Sequence, residues 1–170
     1  MTKTVLITGG AGGIGREFCK LFNSDGYRIV VFSLLQEELD ALGQQLKSQR
    51  ADVDYRPVQM DLSQPGAAEE IIQWLDRENI ELDVLVNNVT MNLSHTGARS
   101  THAPGGDGDG QFADCWWEKD TLQEWDITTR VGLRSYYHSA GLAAKLMAPR
   151  AKGLIVNVSS FGGVRRYIGI

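Results

Sequence analysis

The chain has 170 residues, the size of one domain, and its apolar share of 42% is ordinary for a globular protein. Its 17 basic and 21 acidic residues give a net charge of −4, which disfavours a nucleic-acid partner. No apolar run reaches the roughly 18 residues of a membrane span. Because neither Cys19 nor Cys115 lies in a C-x-x-C motif, we expect free thiols in a reducing, cytoplasmic compartment rather than a disulfide.

Short apolar runs alternate with longer amphipathic segments along the chain. The runs predict five strands: four at residues 4–8, 29–32, 84–86 and 154–158, and a third strand in chain order that ends at residues 58–60. Helical spacing of apolar residues follows the first three strands, and we expect Ser63 and Pro65 to open the third helix. This alternation predicts parallel βαβ units. The continuous Val, Ile and Leu runs indicate strands that are covered by helices on both faces.

The segment at residues 91–119 breaks the alternation. It holds a glycine–aspartate run at residues 105–110, with His95 and His102 nearby. Its length predicts a functional or flexible loop. One isolated acidic tract and two histidines do not supply a ligand set, so we predict no metal site. A capping box at residues 121–124 then predicts a long helix that ends before Pro149.

The most informative residues form a glycine-rich turn between the first predicted strand and the first helix. They are Thr8, Gly9, Gly10, Ala11, Gly12, Gly13, Ile14 and Gly15, and they contain the pattern G-x-G-x-x-G. Between a strand and a helix, glycine permits positive φ, close approach of a pyrophosphate and close helix packing. The helix N-terminus then offers N–H groups to the phosphates. The turn predicts a dinucleotide site rather than a merely flexible loop.

The end of the second strand bears on which dinucleotide binds. NAD sites usually place an acidic residue there to hold the ribose 2′-hydroxyl. Here Ser33 and Leu34 occupy the position, and the first acid is Glu37. The missing carboxylate favours NADP slightly over NAD, although no basic residue stands at 33–35. Arg16 either reaches the 2′-phosphate or is a solvated residue of the first helical turn, and the sequence leaves both open.

Three further segments complete a family pattern. They are Asp61-Leu62 after the third strand, Asn87-Asn88-Val89 after the fourth, and residues 153–160 at the fifth. With the glycine turn, they make the chain resemble the short-chain dehydrogenase/reductase family over essentially its whole length. Pieces of sequence at residues 117–118, 125–126, 131–134 and 153–156 are similar to one animal subgroup of this family.

The resemblance implies a fold and an activity. The fold would be a Rossmann-type doubly wound parallel sheet of strand order 3-2-1-4-5, in one dinucleotide-binding domain over residues 1–170. The activity would be that of an NAD(P)-dependent oxidoreductase, which transfers a hydride between the nicotinamide and a small carbonyl or alcohol substrate.

The resemblance also implies roles for individual residues. Asp61 would accept a hydrogen bond from the adenine amino group, helped by the Leu62 backbone, unless Asp61 is a helix N-cap. Asn87 and Asn88 would lie by the nicotinamide ribose or brace the sheet. Ser160 would orient the substrate as the catalytic serine, or be a plain turn serine. The pyrophosphate would be held by Thr8, Gly9, Gly13, Ile14 and Gly15.

The sequence departs from the family pattern at three places. The family's N-N-A-G reads Asn-Asn-Val-Thr at residues 87–90, and the family's helix asparagine falls on Gly132. The family's Tyr and Lys would fall at about positions 172 and 176, whereas the printed sequence ends at Ile170. Tyr167 has no Lys after it, and an unassisted phenol is no base at neutral pH. Tyr136 and Tyr137 are expected to pack in the core.

From these departures we expect a chain truncated after the fifth strand and inactive alone. The fifth strand would then be an exposed apolar edge, and a homo-oligomer is expected only for a full-length protein. A catalytically inactive nucleotide-binding module is the alternative. A methyltransferase is disfavoured by the Asn87-Asn88 and Ser159-Ser160 segments and by the missing acid after the second strand.

Overall fold

The structure, a computed structural model, describes residues 2–90 and 122–159. These residues form one sheet in which all neighbouring strands pair in parallel, in the order β3-β2-β1-β4-β5. The predicted Rossmann-type order is therefore confirmed. The strands are β1 (Thr4–Thr8), β2 (Arg28–Ser33), β3 (Tyr55–Gln59), β4 (Val84–Asn87) and β5 (Leu154–Asn157).

Helices connect the strands and cover the sheet. The α-helices of the described residues are α1 (Gly13–Ser24), α2 (Gln36–Gln49), α3 (Ala67–Arg77), α4 (Leu122–Thr129) and α5 (Ser135–Met147). A π-helical turn over Arg130–Arg134 joins α4 to α5, so the predicted long helix is interrupted, and Gly132 lies within this turn. A 3₁₀ turn at Ala148–Arg150 follows α5. The predicted loop at 91–119 and Thr121 of the predicted capping box lie outside the described residues.

The start of the third helix differs from the prediction. Gly66, with φ +84°, is the N-cap residue of α3, so Ser63 and Pro65 precede the helix. Two turns fill this connection, closed by hydrogen bonds from Gln64 N to Asp61 O and from Ala67 N to Gln64 O. The left-handed backbone at Gly66 redirects the chain into the helix, which a residue with a side chain would do only with strain.

The core lies on both faces of the sheet because successive strand residues point to opposite sides. Val5 and Ile7 of β1 pack with α1 and α2, whereas Leu6 packs with α3 and α5. On the second face, Phe32 meets Trp74 edge to face, with ring centroids 5.5 Å apart. Cys19 of α1 is a free thiol, as the sequence predicts for it, and is buried on the same face of the sheet as Val5 and Ile7.

The strand order places a crevice at one edge of the sheet. From β1 the sheet extends outward through β2 to β3 on one side and through β4 to β5 on the other. The order therefore reverses between β1 and β4, and ligands of such sheets bind outside the carboxyl ends of the strands at this switch point. Within the described ranges, no helix is both long and apolar enough to cross a bilayer.

Candidate cofactor-binding site

The turn after β1 approaches the neighbouring strand segments closely. Gly9 has φ +63°, a left-handed conformation that favours glycine. Its N–H donates to the carbonyl of Phe32 at 2.7 Å, and its own carbonyl accepts from the N–H of Gly12 at 3.2 Å. A Cβ at Gly9 would lie 2.9 Å from the Cα of Val89. The segment after β4 therefore forms a wall directly against this turn.

Two other glycines of the turn, Gly15 and Gly13, differ in the space around them. A Cβ at Gly15 would overlap the carbonyl oxygen of Gly9 and lie 2.6 Å from the Nδ2 atom of Asn88. Among the described residues, a Cβ at Gly13 would meet no atom within 4 Å. Gly15 is thus required by close packing within the protein, whereas Gly13 leaves bare backbone facing open space.

Helix α1 begins at Gly13, so its N-terminus is part of this bare backbone. Its N-cap residue, Gly12, makes no side-chain capping hydrogen bond, and the first turn of α1 contains no acidic residue. The first N–H groups of a helix have no partner within the helix, and the helix dipole makes this end attractive to anions. The side chain of Ile14 beside it is 63% exposed, although it is apolar. The arrangement is suited to a phosphate group.

Thr8 and Asn88 hold the turn against the segment after β4. The Thr8 hydroxyl oxygen accepts from the N–H groups of Asn88 at 3.1 Å and of Val89 at 3.3 Å. In return, the Asn88 Nδ2 atom donates to the carbonyls of Thr8 at 3.2 Å and of Gly9 at 3.1 Å. Of the two roles open for Asn88, this geometry favours bracing.

Asn87 is fully buried and joins three elements. Its Nδ2 atom donates to the Oδ1 atom of Asn157 at 2.8 Å, and its Oδ1 atom accepts from the hydroxyl of Ser139 at 2.7 Å. It therefore braces β4 against β5 and α5. The sequence analysis missed Ser139, whose signal is a hydroxyl on the same helical stripe as Ala143 and Met147, both of which are buried.

The two tyrosines of α5 do not share the predicted core position. Tyr137 is 78% exposed, so the prediction is wrong for this residue. Tyr136 is half-buried, and its hydroxyl donates to the carbonyl of Val89 at 2.9 Å. The helix turn that carries them points one tyrosine to solvent and the other to the segment after β4.

Asp61 closes the turn that follows β3. Its Oδ1 atom accepts from the N–H of Ser63 at 2.9 Å, and its Oδ2 atom accepts from the side-chain amide of Gln64 at 2.7 Å. Partial burial raises the pKa of the Asp61 carboxyl, but these hydrogen bonds outweigh it, so the pKa lies below its ordinary value. Because Gly66 caps α3, the N-cap alternative for Asp61 is wrong. Each carboxylate oxygen keeps a lone pair for a further donor, and the neighbouring Leu62 is buried.

Arg16 lies against the glycine turn and is only partly exposed. Its guanidinium donates to the carbonyl of Ala11 at 2.8 Å, and its Nε atom is buried with no hydrogen-bond partner in the described part of the chain. With Gly12, Gly13 and Lys20, it lines an open groove between α1 and α2. At the end of β2, Ser33 is buried and Leu34 is half exposed. Because its guanidinium is bonded to Ala11 and its Nε is buried, the Arg16 side chain is not fully solvated, contrary to one of the two predictions.

The described part of β5 leads toward the predicted catalytic serine. Asn157 of β5 pairs with Asn87 of β4, so the residues after both strands emerge side by side. Ser160 and Tyr167 lie outside the described residues.

A parallel sheet with this strand order and a glycine turn at its switch point defines the Rossmann-type class of dinucleotide-binding folds. The family model for short chain dehydrogenase matches residues 3–170. The chain therefore belongs to the short-chain dehydrogenase family.

Individual relatives agree with this assignment. The chain is 28% identical over 162 residues to a 7alpha-hydroxysteroid dehydrogenase of Bacteroides fragilis, covering 95% of this chain and 55% of the relative. It is 30% identical to Dehydrogenase/reductase SDR family member 1 of Mus musculus, covering 97% and 48%. A metagenomic short-chain oxidoreductase, solved in complex with NADP, superposes with a TM-score of 0.74 at 25% identity, covering 96% of this chain and 64% of that one. The chain thus spans about half the length of these curated relatives.

Proposed function

We propose that this chain binds NADP, and NAD less well, as part of an oxidoreductase acting on a small carbonyl or alcohol substrate. A bound nicotinamide cofactor supplies or accepts the hydride, and the described residues bind and orient it. The observation that carries the proposal is Gly13, whose bare backbone faces open space at the uncapped N-terminus of α1. The names of the relatives, a hydroxysteroid dehydrogenase among them, support an alcohol or carbonyl substrate.

Each part of the cofactor has a proposed set of contacts. The pyrophosphate lies on the backbone of the glycine turn, from Thr8 to Gly15. The adenine amino group donates to Asp61, whose lowered pKa keeps the carboxylate ionised at neutral pH, and the Leu62 backbone supports the ring. Asn87 and Asn88 act by holding the sheet and the turn in place. Ser160 orients the substrate carbonyl or hydroxyl, on the segment that leaves β5.

The preference for NADP rests on charge. Ser33 at the end of β2 offers a hydroxyl and no carboxylate, so a 2′-phosphate meets no repulsion there. Arg16 and Lys20 line the groove beside the turn together with Glu17 and Glu38, and Lys20 pairs with Glu17 at 2.7 Å. The group that remains for a phosphate is therefore Arg16, whose buried Nε has no hydrogen-bond partner among the described residues. A guanidinium that turns from the Ala11 carbonyl toward the 2′-phosphate would gain a charge-assisted hydrogen bond.

The test places a carboxylate where the pyrophosphate is proposed to lie. Gly13→Asp adds a side chain into open space, so the fold should be retained. NADPH binding should weaken by roughly 5-fold to 1,000-fold, since like charges about 4 Å apart repel by about 1–4 kcal/mol outside a dry interior. The measurement is the NADPH dissociation constant by calorimetry, with helix content followed by circular dichroism.

Gly141→Asp is the matched control. Gly141 lies in α5, and a Cβ there also meets no atom of the described ranges within 4 Å, so the same charge is added away from the turn. This variant should bind NADPH like the parent. Equal affinity of the parent and Gly13→Asp would refute the assignment of the turn, and the absence of NADPH binding by the parent would refute the proposed function.

A further inference from the structure

The backbone of Val89 is held at both ends by side chains from different elements. Its N–H donates to the hydroxyl of Thr8 at the end of β1, and its carbonyl accepts from the hydroxyl of Tyr136 on α5 at 2.9 Å. Val89 also stands against Gly9, since a Cβ on that glycine would lie 2.9 Å from the Val89 Cα. The position of Val89 therefore sets how closely the segment after β4 approaches the glycine turn.

The Tyr136 side chain reaches Val89 from an anchored part of the helix. The backbone carbonyl of Tyr136 accepts from the Nδ2 atom of Asn87 at 3.5 Å and from the Ser139 hydroxyl at 3.4 Å. Burial raises the pKa of Tyr136 to about 12, so its hydroxyl stays protonated at neutral pH and remains a donor. This hydroxyl is a poor base, and it donates its proton to the hydrogen bond with the Val89 carbonyl.

We propose that Tyr136 is a positioning residue of the cofactor site, whose hydroxyl holds the Asn88–Val89 backbone against Gly9 and so fixes the wall of the pyrophosphate-binding turn. The inference rests on the proposed function. The path is short: Tyr136 holds Val89, Val89 continues from Asn88, and the Asn88 amide donates to the Gly9 carbonyl. Freeing the Val89 carbonyl loosens the same backbone that keeps the turn in shape.

The test removes one hydroxyl in the full 170-residue chain. Tyr136→Phe keeps the ring and deletes the donor. We expect NADPH to bind about fivefold more weakly, the effect of losing one neutral hydrogen bond. Hydrogen exchange of the backbone amides at residues 88–90 should become faster. A para-aminophenylalanine at position 136, which restores an N–H donor to the ring, should return both values toward those of the parent.

Tyr137→Phe is the control, because Tyr137 is the next residue of the same helix and is 78% exposed. It should change neither NADPH affinity nor exchange. Parent-like affinity in Tyr136→Phe overturns this inference, whatever the exchange shows. Failure of Tyr136→Phe to fold also overturns it, since the hydroxyl would then serve stability. If the parent itself binds no NADPH, the proposed function fails and this inference fails with it.

Discussion

Gly13 and Gly15 stand two residues apart, yet a methyl group has opposite consequences at the two positions. At Gly15 the added carbon meets the Gly9 carbonyl and lies 2.8 Å from the Gly10 Cα, both of them backbone atoms that cannot move aside cheaply. At Gly13 it meets no atom of residues 2–90 or 122–159 within 4 Å. The same motif thus contains one glycine that the fold needs and one that the fold does not need.

Gly15→Ala should therefore destabilise the protein, by about 1–3 kcal/mol, the usual cost of overpacking. Gly13→Ala should leave stability unchanged or raise it by up to about 1 kcal/mol, because alanine restricts the unfolded chain more than glycine. Urea unfolding of the two variants measures both effects. Equal loss of stability at the two positions would contradict the packing described for the turn.

Ser33 is the residue at which we expect a substitution to shift cofactor preference. Ser33→Asp places a carboxylate at the end of β2, where it would accept from a ribose 2′-hydroxyl and repel a 2′-phosphate. The ratio of the NAD and NADP dissociation constants should shift toward NAD by roughly tenfold, within the range of about 1–4 kcal/mol for the interaction of two charges about 4 Å apart. Binding titrations with both cofactors give the ratio.

Ser33→Asn separates charge from size, since asparagine has nearly the same shape and no charge. It should leave the ratio near that of the parent. A parent that already prefers NAD, or an equal shift in both variants, would count against the NADP assignment.

At the scale of elements, one carboxylate links the starts of β2 and β3. Asp54 pairs with Arg28 at 2.6 Å and with Arg56 at 2.7 Å. Partial burial raises the pKa of Asp54, but hydrogen bonds from the two arginines outweigh it, so the pKa lies below its ordinary value. The stabilisation is therefore present above the unfolded-state pKa of about 3.9 and is lost as the pH falls through the lower pKa of the folded state.

Asp54→Asn should cost about 0.2–1 kcal/mol at pH 6, the range for ion pairs that are partly in water. The gap between parent and variant should narrow as the pH falls below about 4. Urea unfolding at pH 6 and pH 3 measures the gap. Asp52→Asn, which removes a single ion pair with Arg50 at 3.0 Å from an acid whose side chain is 85% exposed, should give a smaller gap than Asp54→Asn at pH 6. A gap for Asp54→Asn that stays constant with pH would contradict the ion-pair role.

The strands differ in how well they can be predicted from the sequence. The residues of β1, β2 and β4 are buried almost throughout, so continuous apolar runs mark them. The third strand, Tyr-Arg-Pro-Val-Gln, is an edge strand with exposed residues and a proline, and only its end was predicted. Apolar spacing of 3.6 residues could not predict the π-helical turn, because its extra residue breaks the period.

The candidate site shows the same division. Only glycine permits the conformation at Gly9 and the packing at Gly15, so the turn is visible in the sequence. The hydrogen bond from Tyr136 to Val89 spans 47 residues and depends on where α5 rests on the sheet. No local pattern encodes such a contact. The roles of Asp61, Leu62, Ser33 and Ser160 remain predictions.

For the whole molecule, the strand order brings distant segments to one edge. The turn after β1 and the segments after β4 and β5 come together there, although they are about 80 and 150 residues apart in the sequence. Large exposed apolar side chains lie on α4, the π-helical turn, α5 and β5, at Leu122, Trp125, Leu133, Tyr137 and Leu154. Oligomer formation by a longer protein stays a prediction, and these side chains are candidates for substitution when it is tested.

The number of residues in the π-helical turn determines which side of α5 faces the site. Each residue of an α-helix advances the direction of its side chains by about 100°, so one surplus residue in the turn rotates α5 by that angle relative to α4. The Ser135 hydroxyl donates to the Val131 carbonyl within this turn. With this phase, Tyr136 and Ser139 face β4 and Tyr137 faces solvent. A one-residue insertion or deletion between α4 and α5 would therefore replace none of the side chains of α5. It would nevertheless rotate the helix and turn a different side of it toward the cofactor crevice.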